Sequence, residues 1–263
     1  MERRIIRRHF ESIGARVRFR TLDRERGRSW GREPESLLID IKHDEEGAIF
    51  DIARSRHTGP VLDVLQTRPK ERHLLLYSRD GERFLCGHDE RDWFVAVVPK
   101  RVSTVRDAKQ ALMPAEVWKE ARKLPPGATS NRRNSVFVRQ GEWFFVPVDR
   151  DIPEQLILKN EPLQRTPGSK PHVCEELYRE NGELVYLVGG RAYTEEEYRE
   201  RKLADKRFGR RRGVQTRVRN PHIYARGYVR HADHSTVHLK GWHRVHINAE
   251  LSFEQTRSIG FLD

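Results

Sequence analysis

Short runs of alternating apolar and polar residues, each closed by a tight-turn signal, recur along most of this chain. Alternation with a period of two marks a half-buried strand, and a two- to four-residue turn leaves only an antiparallel neighbour within reach. Ala15, Val17 and Phe19 alternate with Arg16, Arg18 and Arg20. Residues 37–53 read as a hairpin turning at Asp44–Gly47, 73–87 as one turning at Asp80-Gly81, and 135–148 as one around Gln140-Gly141. The run VCEELYRENGELVYLVGG is the strongest hairpin signal, with Asn181-Gly182 suited to a type I′ turn. FVAVVP reads as a strand buried on both faces.

Helical patterns are fewer and short. Ile5, Ile6, Phe10 and Ile13 form an apolar stripe near the N-terminus. A second helix starts at Ser103 or Thr104 and stops before Pro114, and AEVWKEARKL forms a third. Thr194 and Glu197 form a capping box for a fourth over TEEEYRERKLADKRF. The expected fold is therefore α+β, with mostly antiparallel sheets built from successive hairpins and a few short helices. The breaker-rich stretch PPGATSNRRN places a linker at 125–133, between domains at 1–124 and 134–263 that are able to pack as one unit. Residues 23–35 and 165–171 read as polar loops. No Gly-rich phosphate loop is present, so no nucleotide cofactor is expected.

Charge is concentrated at the two ends. Residues 1–32 carry 11 Arg against four acids, and residues 206–246 carry 11 Lys or Arg against one acid, in a chain of net charge +12. Arg outnumbers Lys in both, which favours bidentate phosphate contacts. Such clustering is the footprint of a polyanion partner. Two cysteines, Cys86 and Cys174, without a CxxC motif support neither a disulfide framework nor a cysteine zinc site. Cys86 and His88 share a short segment, but Cys86 reads as a small buried residue before a charged turn. No apolar stretch approaches about 18 residues, so no membrane partner is expected, and the expected location is the cytoplasm.

The C-terminal part concentrates the chemistry. Tyr224, Arg226, Tyr228 and Arg230 alternate with the small apolar Ile223, Ala225, Gly227 and Val229. The following run reads as a hairpin with Lys240-Gly241-Trp242 as its loop, pairing Val237 with Val245 and His238 with Arg244. Its polar face would add His238, Arg244 and His246, with His243 on the apolar side. Rings beside guanidinium groups suit stacking on unpaired bases. Arg207, Arg210, Arg211, Arg212, Arg217 and Arg219 would track the backbone, joined by Arg16, Arg18 and Arg20. The expected activity is binding of nucleic acid, with RNA or single-stranded DNA favoured, and no cofactor is required for it.

Six of the 12 histidines fall between His222 and His246. Within that stretch Asp233-His234, followed by Gly241 and Asn248, is similar to the motif of HNH, or ββα-metal, nucleases. The resemblance spans fewer than 30 residues. It implies His234 as general base, Asp233 as ligand of a divalent metal and Asn248 as orienting residue; the neighbouring His231 is a further candidate ligand, and the ion would be Mg or Mn, or else Zn. Val237 stands where that family places proline, and no His or Asn follows Asn248. A metal-dependent nuclease is thus the alternative expectation. A third is a non-catalytic subunit that docks its basic ends on a protein or nucleoprotein assembly.

Overall fold

A computed structural model describes residues 2–22, 37–55, 59, 61–99, 101–125, 127–164, 170–189, 191–210, 213–219 and 221–249. The expected loop at 23–35, residues 165–169 of the one expected at 165–171, and the calls on Arg211 and Arg212 lie outside these residues. The chain divides into two compact units at Met113/Pro114, and residues 125–133 run inside the second. Both are α+β, as the alternating pattern requires.

The first unit holds α1 (Glu2–Ser12), β1 (Val17–Leu22), β2 (Leu37–Asp44), β3 (Gly47–Ser55), β4 (Leu62–Arg68), β5 (His73–Ser78), β6 (Arg83–Asp89), β7 (Asp92–Val98) and α2 (Val105–Ala111). The sheet β4-β5-β6-β7 is an antiparallel meander, and a smaller sheet has the order β1-β3-β2. The pair β1–β3 is parallel, with Val17 opposite Phe50, an exception to the hairpin pattern. Strand β5 reads as unbroken Leu74-Leu75-Leu76 because both its faces are covered. Leu74 and Leu76 join Ile6, Phe10, Ile13 and Phe50 in one core, while Leu75 joins Val105 and Ala108 of α2 in another. Ile5 departs from the expected stripe and is half exposed, since Ile6, Phe10 and Ile13 alone complete the buried face. Thr104 caps α2 by accepting the Asp107 amide.

The second unit holds α3 (Ala115–Ala121), β8 (Val138–Gln140), β9 (Trp143–Pro147), β10 (Leu158–Leu163), β11 (His172–Glu180), β12 (Glu183–Val188), β13 (Arg191–Thr194), α4 (Glu195–Ala204), β14 (Gln215–Arg219), β15 (His222–Arg230) and β16 (Val237–Ile247). One sheet has the order β10-β11-β15-β16-β9-β8 and another β13-β12-β14. The larger sheet curls on itself. Gln140, fully buried on the edge strand β8, donates its side-chain amide to the carbonyls of Val229 (3.3 Å) and Ser235 (2.7 Å). This brings the β8–β9 turn beside the far end of β15. The capping box of Thr194 and Glu197 opens α4 as the sequence requires.

Two hairpin expectations are overturned. Strands β11 and β12 flank Asn181-Gly182 but do not pair. Strand β11 lies between β10 and β15, and β12 lies between β13 and β14. Asn181 and Gly182 do take the positive φ values (56° and 98°) of a type I′ turn. Here they kink one long ribbon, since Glu180 faces His222 before the kink and Glu183 faces Arg219 after it. The second correction concerns Lys240-Gly241-Trp242, which form no loop. Strand β16 runs through them, and they bulge opposite Arg226, between the Ala225–His243 and Gly227–Leu239 pairs. Paired along its length with β15, β16 buries Leu239, His243 and Val245, and Trp242 packs with Ile152 and Tyr224. Gly182 carries the kink. A Cβ there would sit 2.5 Å from Val218 Cγ1 and 3.0 Å from the Arg219 carbonyl oxygen. Gly182→Ala is expected to cost about 1–3 kcal/mol from positive φ and this clash, read as a lower urea midpoint at unchanged slope.

Candidate functional site

Arg16 and the arginines of β1 illustrate how sequence charge is spent inside a fold. Arg16 forms a bidentate pair with Asp44 (2.6 and 2.8 Å) and also meets Glu46. Arg18 and Arg20 each donate Nε–H to one oxygen of the buried Asp51, at 3.0 and 2.7 Å. Burial alone would raise the Asp51 carboxyl, but the hydrogen bonds from Arg20 and Arg18 outweigh it and hold it below its ordinary range. Three guanidinium groups thus face three carboxylates, and this patch presents no net charge.

On the larger sheet of the second unit the expected aromatic and cationic face exists but is divided. Its lower part is covered. Tyr224 is buried with Ile152 and Trp242, under a segment whose Val148 and Ile157 complete the layer. Its hydroxyl donates to Glu180 (3.0 Å), and Arg150 lies 4.5 Å over its ring. Arg226 pairs with Glu176 and lies 4.7 Å over Trp242. Arg244 stands 5.7 Å over Tyr224. His246 is mostly buried, and burial lowers its pKa. His243 is buried too, with Nδ1 2.9 Å from the Gly241 carbonyl, as its apolar register implied. The 148–157 cover carried no periodic signal in the sequence, so the face appeared open throughout.

The upper part is open. Tyr228, 44% exposed, stacks on His238 of the neighbouring strand at 4.6 Å, and Arg230 lies 5.5 Å over the same Tyr ring. The bulge sets this register by pairing Tyr228 with His238. In the basic segment, Arg207 and Arg210 are exposed, Arg217 is half-buried, and Arg219 pairs with Glu183.

The same hairpin ends in the turn that carries His231, Asp233 and His234. These residues lie off the strand, so alternation does not separate them. His231 and His234 stack at 4.5 Å, and both stack on His172 at the start of β11, at 4.1 and 5.5 Å. Asp233 turns the other way, its oxygens 2.7 and 2.6 Å from Lys170 Nζ. Its backbone N–H donates to His231 Nδ1 (3.1 Å). Asn248 follows β16 directly and donates its backbone N–H to Glu142. His238, on the strand, stays with Tyr228. One ligand atom from each of His172, His231 and His234 lies within 4.8 Å of the others, a group that could hold a metal. His172 is only 1% exposed, and neither ring nitrogen has a hydrogen-bond partner. Leaving such a group unsatisfied costs about 1–3 kcal/mol. His172 escaped sequence reasoning because it lies about 60 positions before its partners; only the sheet register, Val173 opposite Arg230, brings it to them. Cys86 is fully buried, and burial pushes its thiol up, away from the reactive thiolate.

Burial, reinforced by charge on His231 and His234, lowers His172 to about 3 from its ordinary 6.5. The unfolded chain takes up this proton below pH 6.5 and the folded chain does not. Its share of stability is therefore full above pH 6.5 and lost as pH falls toward about 3. His73 in the first unit is likewise lowered, to about 4, so His172→Gln is expected to remove only part of the acid dependence. Urea midpoints at pH 7, 6 and 5 should fall less steeply in the variant than in the parent. No family model, curated protein or solved structure matches this chain.

Proposed function

We propose that the protein binds nucleic acid, RNA or single-stranded DNA, at the exposed turn end of the β15–β16 hairpin. One observation carries this reading. The exposed Tyr228–His238 stack, with Arg230 over the Tyr ring, offers a flat platform beside a cation. Unpaired bases have the π-faces such a platform takes, and a guanidinium beside it takes phosphate. The exposed Arg207 and Arg210 support the reading as cations of the same unit. Arg16, Arg18 and Arg20 add little to it, because their charge is neutralised locally.

Asp233 gives the nuclease alternative no comparable support while its carboxylate is held by Lys170. No helix among the described residues is long and apolar enough to cross a membrane. The test is anisotropy with labelled single-stranded RNA, single-stranded DNA and duplex across a salt series, in EDTA and then with Mn²⁺. Affinity for single strands that falls steeply with salt is expected. Tyr228→Ala is expected to weaken it about 5- to 150-fold, the worth of one base stack. Absence of binding at low salt would overturn the reading, and shortening of the strand only with Mn²⁺ would favour the nuclease.

A further inference from the structure

We propose that His172, His231 and His234 form a binding site for a single borderline transition-metal ion, of the Zn(II) and Co(II) class. The proposal does not rest on nucleic-acid binding. Its first ground is convergence: three imidazoles from two distant segments bring one ligand atom each within 4.8 Å of the others. The second is the state of His172. A ring so deeply buried, with neither nitrogen hydrogen-bonded, lacks a partner that an ion would supply.

The third ground is the space at Gly141. A Cβ built on this glycine would lie 2.8 Å from His234 Nε2 and 3.2 Å from His172 Nε2. Both Nε2 atoms therefore border the same small space, and the residue beside it has no side chain to fill it. Gly141 sits at positive φ (57°), on the turn that the buried Gln140 holds in place. A larger residue there would obstruct both nitrogens.

The donor chemistry selects the ion. An all-imidazole set suits Zn, Co, Ni and Cu, whereas Mg and Mn prefer oxygen ligands. The Asp233 carboxylate, which would shift the preference toward harder ions, is engaged by Lys170. Imidazole ligates when neutral, and no carboxylate is among the described groups that stack on His172. Tetrahedral ligation at about 2.0–2.1 Å places ligand nitrogens about 3.4 Å apart, so the three rings, which lie stacked within 25° of parallel, must tilt and draw together to close the set. His231 is the conditional member. Its Nδ1 accepts the Asp233 N–H, so ligation through either nitrogen costs that bond: through Nδ1 directly, or through Nε2 once the ring proton has moved to Nδ1. His172 and His234 form the core of the site, and a water completes the coordination.

The test uses the untagged full chain, stripped with EDTA and titrated with Co(II). The expected result is one Co(II) per chain with the intense visible bands of four-coordinate cobalt, displaced by Zn(II) and unaffected by Mg(II). His172→Ala and His234→Ala should abolish the bands, and His231→Ala should weaken binding at least about ten-fold. His43→Ala, at an exposed position on β2 of the first unit, should leave them intact. Should His172→Ala fail to fold by circular dichroism, the His234→Ala and His231→Ala results decide. The proposal is overturned if the parent shows no bands, if it shows only weak octahedral ones, or if folded cluster variants bind Co(II) as the parent does.

Discussion

The second unit depends on the buried amide of Gln140. A fully buried polar side chain must find partners, and this one finds the Val229 and Ser235 carbonyls, nearly a hundred positions later in the chain. The bond ties an edge strand to the far end of a central one, so the six-stranded sheet closes toward itself. Without that tie Gly141 would have no reason to lie against His172 and His234. The β11–β15 register assembles the imidazole group, and the closing of the sheet lays Gly141 against it.

Local periodicity was readable from the sequence; long-range partnership was not. The hairpins at Asp44–Gly47 and Asp80-Gly81 and the caps at Thr104 and Thr194 follow from rules that act over fewer than ten residues. Asn181-Gly182 obeyed its local rule as well, taking the dihedral angles its residues favour. What it could not reveal was that both flanking strands had better partners elsewhere. Lys240-Gly241-Trp242 failed for the same reason: a loop signal yielded to the area that β15 buries. His231 and His234 stood out in the sequence, whereas His172 resembled any solitary histidine until register set it beside them.

Charge behaves similarly. The N-terminal arginines and those of the hairpin look alike as letters, but the acids that meet them differ. Asp44, Glu46 and Asp51 match Arg16, Arg18 and Arg20. Glu176 engages Arg226, while Arg230 remains beside an exposed ring. Net charge measures what a chain brings to folding; the charge left to a partner is what folding has not consumed.

The kinked ribbon has a mechanical consequence. Strands β11 and β12 continue one another, as do β14 and β15 on the opposite side, so the small sheet is joined to the large one by two strands in register on both sides of the bend. A loop would let one sheet fray while the other stayed whole. A paired ribbon couples them instead: Glu180 opposite His222 is the last rung of one sheet and Glu183 opposite Arg219 the first of the other, so unpairing on one side of the bend unsupports the rung on the other.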